Sequence, residues 1–361
     1  MKKLIYITND GWWDTDISLL PQLTDKFSVE VYVVSHAETN KNKYPQKTLP
    51  TDIKIHNLSF ERSKKDIRTL FNSILYSFRL AHATHNKLVF WETDINPYYS
   101  IPYIFLTKHN KTIISFHDYV LHSDTAKWQK WLRNIFVKKF IYFHFHSELQ
   151  ELEFRKDNEN KISFATSMPP KSFGLPKGKR LFTNDKRTFL FFGFIRDYKR
   201  LDLFIQAANK YNKVANFIIA GNCKDWTKYE NTLNVSPNIL CHIRFISNDE
   251  IADYFSQSNF LVLPYEDSTQ SGPLLTAYHY NLPTIASDLP YFKGMVNDKV
   301  DGFIFKKGST SDFMAQIEKA ISMNEYEYKN MKDKLAERVK TYSEHSNFCK
   351  SLNDFIIKHS L

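Results

Sequence analysis

Short apolar runs alternate with amphipathic stretches along the first half of the chain. Runs such as LIYIT, VEVYVVS and TIISF are rich in β-branched and aromatic residues, which indicates strands buried on both faces. Between these runs lie helix-like stretches, among them Asp66 to Ala83, which is amphipathic, and Lys127 to Lys139. Near-continuous apolar strands joined by helices predict a parallel sheet covered on both sides. Residues 1–170 are therefore predicted to form one doubly wound α/β domain.

The same alternation restarts near residue 188. The runs TFLFF, NFIIA and LVLP indicate strands, and the patterns at Leu201 to Tyr211 and Asn248 to Gln257 indicate helices. A longer apolar run, ILCHIRFI, is also predicted to be a strand. A second domain of the same class is thus predicted over residues 188–342. Residues 171–187 lose periodicity and gather Pro, Gly and Lys, which is typical of an interdomain linker.

Composition and charge argue against a nucleic-acid-binding arm, a membrane span and a secreted protein. The chain carries 49 Lys and Arg against 39 Asp and Glu, a formal net charge of +10, with both signs interspersed. This pattern favours a basic surface over a dedicated nucleic-acid segment. The start MKKLIYITNDG is predicted to be a strand rather than a signal peptide, and no apolar run approaches the roughly 18 to 20 residues of a membrane span. Three scattered cysteines complete the expectation of a cytoplasmic protein with reduced thiols.

The stretch from Leu261 to Asp288 combines a strand, a loop of small polar residues and a helix. The helix is predicted to begin at Pro273, because the first helical position tolerates proline best. The loop ends on Ser271 and Gly272, so the amides that follow lack intrahelical partners. Free amides at a helix N-terminus bind anions, and this stretch is therefore predicted to be a cradle for a phosphate or a sugar oxygen.

A second candidate site is the segment GFIRDYKRLD, which begins at Gly193 between a strand and a helix. Arg196 and Lys199 follow the end of the strand, where two cations and free amides could converge on a diphosphate. The alternative, that both are solvated loop cations, stays open on this spacing alone. Neither half contains G-x-G-x-x-G or G-x-x-x-x-G-K-[ST], so the common dinucleotide fingerprint and the P-loop are absent.

The first domain has candidates in two loops. His117 directly follows the strand TIISF, where it could hydrogen-bond a sugar hydroxyl or order an acceptor. Trp12 and Trp13 follow the first strand, and they could stack on sugar faces, enter lipid headgroups or simply cap the edge of the sheet. Glu92 and Asp94 follow KLVFW and are further carboxylates at this edge, although loop carboxylates are usually solvated. His144 and His146 share one face of a strand, but because no third ligand is evident we interpret them as structural rather than metal-binding.

In their order and spacing, five segments resemble the C-terminal domain of the GT-B glycosyltransferases of family 4 over about residues 189–323: FFGFIRDYKRLDLFIQAA, NFIIAG, SNDEIADYF, LVLPYEDSTQSGPLLTAYHYNLPTIASD and DGFIFKKGS. The resemblance implies the GT-B fold, in which two Rossmann-like domains face a central cleft. It implies a nucleotide-sugar donor held mainly by the second domain, retention of anomeric configuration, and no cofactor or required metal. It also implies that the last helix, residues 343–361, packs back on the first domain.

The resemblance carries roles over to individual positions. It implies catalytic roles for His117, Arg196 and Lys199. The donor-binding residues that it implies are Gly193, Thr269, Gln270, Ser271, Gly272, Pro273 and Thr276. Glu266 is a further candidate for donor binding. The acceptor-binding residues that it implies are Gly11, Trp12, Trp13, Asp118 and His122.

One departure from the family concerns its two glutamates, which stand eight positions apart. Ser268 and Thr276 occupy those positions here, and a threonine hydroxyl accepts a ribose hydrogen bond without the help of charge. Glu266 lies two residues earlier and is the candidate replacement. The pattern resembles a variant of the family with Thr-Gln-Ser-Gly in place of the acids. We expect a changed donor contact, and a non-catalytic descendant is the alternative.

The expected function is transfer of a sugar from a nucleotide-sugar to a saccharide or lipid-linked saccharide, in surface polysaccharide or glycoconjugate synthesis. The basic balance suits work at the anionic inner face of the cell membrane, and a soluble acceptor remains open. Three alternatives are kept. They are a GT-B enzyme of epimerase or phosphorylase type, a non-catalytic sugar-nucleotide or glycan binder, and a nucleic-acid binder, for which pI is the sole argument.

Overall fold

The computed structural model describes residues 1–36, 49–60, 67–93, 97–106, 111–117, 119, 127–178, 180–345 and 347–361. The chain divides into two compact units. The first comprises residues 1–169 and 346–361, and the second comprises Pro170–His345. Three segments therefore build two units, since the chain returns to the first unit at its end.

The first unit is built on a seven-stranded parallel sheet. Its strands are β1 (Lys2–Asn9), β2 (Phe27–His36), β3 (Lys54–Phe60), β4 (Leu88–Thr93), β5 (Thr112–Phe116), β6 (Tyr142–Phe145) and β7 (Ile162–Ala165). Its first helices are α1 (Trp13–Leu23), α2 (Ile67–Thr84), α3 (Pro97–Leu106), α4 (Lys127–Lys139) and α5 (Glu148–Asp157). The strand order is β3-β2-β1-β4-β5-β6-β7, which is the Rossmann order with one added strand. The order reverses between β1 and β4.

The second unit repeats this design with a six-stranded parallel sheet. Its strands are β8 (Thr188–Phe192), β9 (Asn216–Ala220), β10 (Ile239–His242), β11 (Phe260–Leu263), β12 (Thr284–Ser287) and β13 (Gly302–Phe305). Its helices are α6 (Leu201–Tyr211), α7 (Thr227–Glu230), α8 (Asn248–Ser256), α9 (Gly272–His279), α10 (Pro290–Met295), α11 (Thr310–Ser322) and α12 (Glu325–His345). The order β10-β9-β8-β11-β12-β13 again reverses between neighbours, here β8 and β11.

Helices cover both faces of the first sheet. One face carries α1 and the last helix, α13 (Phe348–Lys358), whose Phe348 and Leu352 are buried with Leu19 of α1. The other face carries α2 to α5, whose core residues include Leu80, Ile104, Leu132, Phe136 and Phe154. None of the described helices is both long and apolar enough to cross a bilayer.

Three predicted boundaries differ from the structure. The predicted strand ILCHIRFI stops at His242, because β10 is an edge strand that pairs on one side with β9, and β9 ends at Ala220. Helix α1 begins at Trp13, which was predicted to lie in the loop after the first strand. Residues 171–187 are not a free linker. Their backbone is bonded to the second unit, with Lys171 donating to the Leu275 carbonyl at 3.1 Å and Leu181 donating to the Gln257 side chain at 2.8 Å.

Candidate functional site

Two loops meet at the switch point of the second sheet, where β8 and β11 are neighbours. Open α/β sheets bind ligands at this place, outside the carboxyl ends of the strands. The loop after β8 begins at Gly193, whose φ of +103° favours glycine and whose amide donates to the Ala220 carbonyl at 2.9 Å. The loop after β11 leads from Tyr265 to the start of α9. The Glu266 amide ties the two loops by donating to the Tyr198 carbonyl at 2.7 Å.

Lys199 lies buried between these loops, with only 8 % of the residue exposed. Its Nζ is 5.3 Å from the centre of the Tyr265 ring. A Cβ on Gly193 would lie 3.5 Å from this Nζ and 3.6 Å from the Cγ of Pro273, so the ammonium, the Gly193 backbone and the first turn of α9 are close neighbours. Burial, and secondarily the Arg196 charge, lower the pKa of Lys199 to about 8.

The charge of Lys199 has no anionic partner among the residues that the structure describes, since no carboxylate oxygen there lies within 4.0 Å of its Nζ. A buried ammonium is costly unless an anion compensates it. The reading of Lys199 as a solvated loop cation is therefore wrong. Arg196 is exposed and lies over the ring of Phe194, with 5.4 Å from its Cζ to the ring centre.

The first turn of α9 adds backbone donors to this site. Ser271 caps the helix, as its Oγ accepts from the Leu274 amide at 3.3 Å and its carbonyl accepts from the Leu275 amide at 3.2 Å. Across the described part of the chain, the Gly272 amide has no acceptor. A Cβ placed on Gly272 would meet no atom within 4 Å, so there is room in front of this amide. The predicted anion cradle thus has a buried cation and a free amide at one helix start.

Two of the predicted donor contacts are revised, because the side chains already have partners. The Thr276 hydroxyl donates to the Gly272 carbonyl of its own helix at 3.0 Å, and Thr276 is buried. Glu266 pairs with Arg200, whose guanidinium also binds Asp202 at 2.8 Å. Ser268, at the other position where the family has an acid, donates its hydroxyl to the Gln270 carbonyl at 2.8 Å. Thr269 and Gln270 are half-buried in the same loop.

The first unit contains a buried ionisable cluster at the carboxyl ends of β4, β5 and β6. The Glu92 carboxylate lies 3.0 Å from the Nε2 of His117 and 2.9 Å from the Nε2 of His146. Burial alone would raise the pKa of Glu92, but His146 and His117 outweigh it and hold that pKa well below its ordinary value. Trp12 stacks on His117, with the ring centres 3.6 Å apart and the planes 7° from parallel.

A second buried carboxylate supports this cluster. Asp16 of α1 accepts hydrogen bonds from the Tyr6 hydroxyl at 2.7 Å and from the Thr8 hydroxyl at 2.5 Å. The Tyr6 hydroxyl also lies 3.3 Å from Glu92, so it bridges the two acids. Burial, followed by the charges of Asp16 and Glu92, raises the pKa of Tyr6 well above its ordinary value. Tyr6 therefore stays a neutral donor between two carboxylates.

His144 and His146 have different surroundings despite sharing one face of β6. His144 contacts the Ser115 hydroxyl at 2.8 Å and the Thr166 hydroxyl at 2.7 Å, and burial lowers the pKa of His144 well below its ordinary value. His144 is therefore a neutral structural residue, as predicted. His146 instead joins Glu92 and His117, and the three ligand atoms lie within 4.8 Å of one another. Two His and one Glu are a donor set that zinc uses. The sequence showed no such third ligand, and the absence of a metal stays a prediction.

The predicted acceptor residues fall into three groups. Trp13 is 4 % exposed in the core under α1, so its predicted acceptor contact is wrong, because helix α1 turns the ring toward the sheet. Trp12 is half-buried over His117, and Gly11 is exposed with its amide bonded to the Asn9 side chain at 2.7 Å. Asp118 and His122 lie outside the described residues.

The predicted direct contact of His117 with a sugar hydroxyl also needs revision. Its side chain is 2 % exposed, because one edge faces Glu92 and one face is covered by Trp12. The sequence named Glu92 as a carboxylate at this edge but did not pair it with His117. The available signal was a charged residue ending the buried strand KLVFWE, one strand away from His117 in a parallel sheet.

By sequence, the second unit is similar to a known family. Residues 186–323 match the profile of the family described as Glycosyl transferases group 1. No curated protein matches the chain by sequence.

Solved structures match over nearly the whole length of the chain. The sucrose-phosphate synthase of Thermosynechococcus elongatus is 11 % identical, with 100 % of both chains covered and a TM-score of 0.74. Anabaena HepE in complex with UDP and glucose is 10 % identical, with 99 % of this chain and 100 % of that chain covered and a TM-score of 0.74. A mutant of S. aureus TarM in complex with fondaparinux, alpha-GlcNAc-glycerol and UDP is 13 % identical, with coverages of 98 % and 100 % and a TM-score of 0.72. These likenesses confirm the predicted architecture of each unit.

Proposed function

We propose that this chain, a glycosyltransferase of the GT-B fold with a group 1 domain at residues 186–323, transfers a sugar from a nucleotide-sugar to a saccharide or lipid-linked saccharide. The observation that carries the proposal is Lys199, a buried cation beside the free amide of Gly272. A diphosphate would supply the anionic partner that Lys199 lacks among the described residues. The pathway that we propose is the synthesis of a surface polysaccharide or another glycoconjugate.

In the proposed reaction the second unit stabilises the leaving group. As the bond from the anomeric carbon to the phosphate oxygen breaks, its electron pair and negative charge go to the departing nucleoside diphosphate. Lys199, Arg196 and the Gly272 amide are the groups that face such an anion, and preorganised charges of this kind lower the barrier without reorganising. Because two side-chain cations supply the positive charge, we propose that transfer needs neither a metal nor a cofactor.

We further propose that the configuration at the anomeric carbon is retained. The acceptor hydroxyl would attack on the face from which the diphosphate leaves, and its proton would pass to a phosphate oxygen of the leaving group. This path requires no carboxylate nucleophile. It fits a loop in which Glu266 is held by Arg200 and in which Ser268 and Thr276 replace the acids of the family.

The first unit is proposed to bind the acceptor. Trp12 presents an indole at the carboxyl end of β1, and an aromatic face suits the apolar face of a sugar ring. His117 lies under Trp12 and is bonded to Glu92, so we assign it a positioning role in place of direct catalysis. An acceptor linked to lipid would place the protein in the cytoplasm at the inner face of the cell membrane, and the net charge of +10 suits an anionic leaflet.

The proposal is tested by a thermal-shift panel of UDP-, GDP-, ADP- and dTDP-sugars. UDP-sugars come first, because UDP is present in the HepE and TarM complexes. At about a hundredfold excess over Kd, a bound donor adds about 2.7 kcal/mol to the free energy of unfolding, which raises Tm by several degrees. If none of the four classes raises Tm, the donor site is not where we place it.

Three variants test whether the increase in Tm comes from donor binding beside Lys199. Arg196→Ala is expected to weaken donor binding by about tenfold to a hundredfold, as a lost charge-assisted contact does. Lys199→Met should abolish the shift without lowering Tm of the free protein, because it removes an uncompensated buried charge. The control is Lys228→Ala, an exposed lysine near this loop that pairs with Asp197 at 2.9 Å. Lys228→Ala should keep the full shift, and a loss equal to that of Lys199→Met would contradict the assignment.

A further inference from the structure

Helix α2 has its apolar face turned to solvent. Among the side chains of α2 that the structure describes, the buried ones are mainly small and polar, and they recur at helical spacing: Thr69, Ser73, Ser77, Leu80 and Thr84. Two of these satisfy their hydroxyls within the helix, with Ser77 donating to the Ser73 carbonyl and Thr84 to the Leu80 carbonyl, both at 2.7 Å. The exposed stripe is Phe71, Ile74, Leu75 and Phe78, where Phe71 is 71 % exposed and Phe78 is 56 % exposed. A helix of a soluble domain normally has the opposite arrangement.

The helices that follow α2 on the same face of the sheet continue this apolar surface. Phe105 and Leu106 are exposed at the end of α3, which packs against α2. Trp128 and Trp131 are exposed on one side of α4, and Trp131 is 58 % exposed. The Lys139 ammonium lies 5.1 Å from the centre of the Phe105 ring, which joins the exposed sides of α3 and α4. We call the exposed sides of these three helices the α2–α4 surface.

The charge of the α2–α4 surface has one sign. The three helices contain no Asp or Glu, although the whole chain has 39 of them. Their exposed basic residues are Arg68, Arg79, Lys127, Lys130, Lys138 and Lys139. The surface therefore combines large apolar side chains, two tryptophans and six exposed basic side chains.

We propose that the α2–α4 surface docks on an anionic lipid bilayer. Phe71, Phe78 and the two tryptophans would enter the boundary between headgroups and acyl chains, where aromatic rings are favoured. The lysines and arginines would contact lipid phosphates, each strengthening binding about fivefold. A second copy of the chain does not fit this surface, because two faces of like charge would meet across the apolar stripe. The inference sharpens the proposed membrane location and does not depend on sugar transfer.

The experiment measures co-sedimentation of the full chain with vesicles. One set of vesicles is phosphatidylcholine alone, and the other also contains phosphatidylglycerol. We expect the protein to bind the anionic vesicles at least tenfold more strongly than the neutral ones, with binding reduced by salt. Equal binding to both, or binding to neither, would overturn the proposal.

Paired variants locate the contact. Phe71→Ser with Phe78→Ser should lower the vesicle partition coefficient by more than tenfold, and Lys138→Gln with Lys139→Gln should lower it by about twentyfold at low salt. The matched control is Val235→Ser with Phe245→Ser, which removes two exposed apolar side chains from the second unit. The control must bind vesicles as the wild type does. If it loses binding equally, the attraction is non-specific and the α2–α4 surface is not the docking site.

Two further measurements separate the competing outcomes. Sedimentation velocity without lipid reports self-association, and a dimer that is lost on Phe71→Ser with Phe78→Ser would assign the surface to a second copy instead. The nucleotide-sugar thermal shift should be unchanged in every surface variant. If the protein does not bind anionic vesicles but still shows the thermal shift, the docking surface alone is refuted. If it binds the vesicles but shows no thermal shift, the donor site alone is refuted.

Discussion

Lys199 ties donor binding to pH. Its pKa of about 8 in the free protein means that the ammonium begins to lose its proton just above neutrality. A bound diphosphate would favour the charged form and raise that pKa. Binding is therefore strongest below about pH 8 and weakens as pH rises from there toward the pKa of the complex, with Kd rising by up to about tenfold per pH unit.

Titration calorimetry between about pH 7 and 9 checks this expectation, since proton uptake on binding appears as a dependence on the buffer's ionisation enthalpy. Lys199→Arg is the control, because a guanidinium keeps its charge throughout that range. If it binds donor, its Kd should be flat with pH. A wild-type Kd that is also flat would show that Lys199 does not contact the anion.

Glu92 contributes stability that depends on its ionisation. Its pKa in the folded chain is held well below the ordinary value by His146 and His117, against the opposing effect of burial. A carboxyl with a lowered folded pKa stabilises the protein above its unfolded pKa of about 4.3, and that stability is lost as pH falls toward the folded value. Glu92→Gln should cost about 3 kcal/mol at neutral pH, because the imidazoles lose their buried anion.

Urea unfolding of wild type and Glu92→Gln at neutral pH and at about pH 3.5 tests this account. The difference between the two proteins should shrink at the acidic pH, where the wild type has begun to lose the same interaction. Taking the difference cancels the acid dependence of other carboxylates such as Glu250, whose pKa is lowered to about 2 mainly by Arg244. A difference independent of pH would mean that Glu92 acts through shape rather than charge.

At the scale of elements, the loops after β8 and β9 touch through their backbones. A Cβ on Gly221 would lie 1.9 Å from the Gly193 carbonyl oxygen, which no side chain tolerates. The Ile195 amide also donates to the Asn222 carbonyl at 2.8 Å, so the two loops are held together. Gly221→Ala should therefore lower the free energy of unfolding by about 3 kcal/mol and weaken donor binding, because Gly193 must move.

Gly294→Ala is the matched control for Gly221→Ala. Gly294 lies in helix α10, and a Cβ there would meet no atom within 4 Å. Thermal unfolding should show no loss of stability, or a small gain, for this variant. Equal losses of stability in the two variants would indicate a general effect of the added methyl group rather than a clash between the two loops at Gly221 and Gly193.

The sequence predicted most of the strands and the position of the two loops at the switch point of the second sheet, for physical reasons. Strands buried on both faces, such as β5 and β11, are continuous apolar runs, and ligand loops in such sheets begin where those runs end. The periodicity of α2 also predicted an amphipathic helix. Periodicity shows that the two faces of a helix differ in polarity, but it does not show which face packs against the sheet. The outward position of the apolar face of α2 could therefore not be inferred from the pattern.

The missed parts of the site depend on distances that no sequence pattern contains. Glu92 and His117 are 25 positions apart in the chain, and their contact follows from the pairing of β4 with β5. Trp13 was expected in a loop because aromatic residues are weak signals of a helix start, and Trp12 gives α1 no side-chain cap. Whether Thr276 offers its hydroxyl outward depends on its rotamer.

For the whole molecule, the predicted architecture of two doubly wound α/β units is confirmed, and residues 186–323 match the family described as Glycosyl transferases group 1. Sugar transfer by the whole chain, retention, the acceptor and metal independence remain proposals. The two units carry different chemistry. The second unit has positive charge at the start of α9, beside the switch point of its sheet. The first unit has paired carboxylates and imidazoles in its interior and basic residues on the α2–α4 surface. The two units thus share one design but differ in where their charged groups lie.

The return of α13 to the first unit has a consequence for the order in which the protein folds during synthesis. Phe348 and Leu352 complete the core beside α1, yet residues 170–345 are made before them. The second unit is continuous in the chain, so it can close while the first still lacks a helix. A nascent chain paused within the second unit would display an uncovered apolar strip over β1 and α1. We expect chaperones to bind there until the last segment of the first unit has been translated.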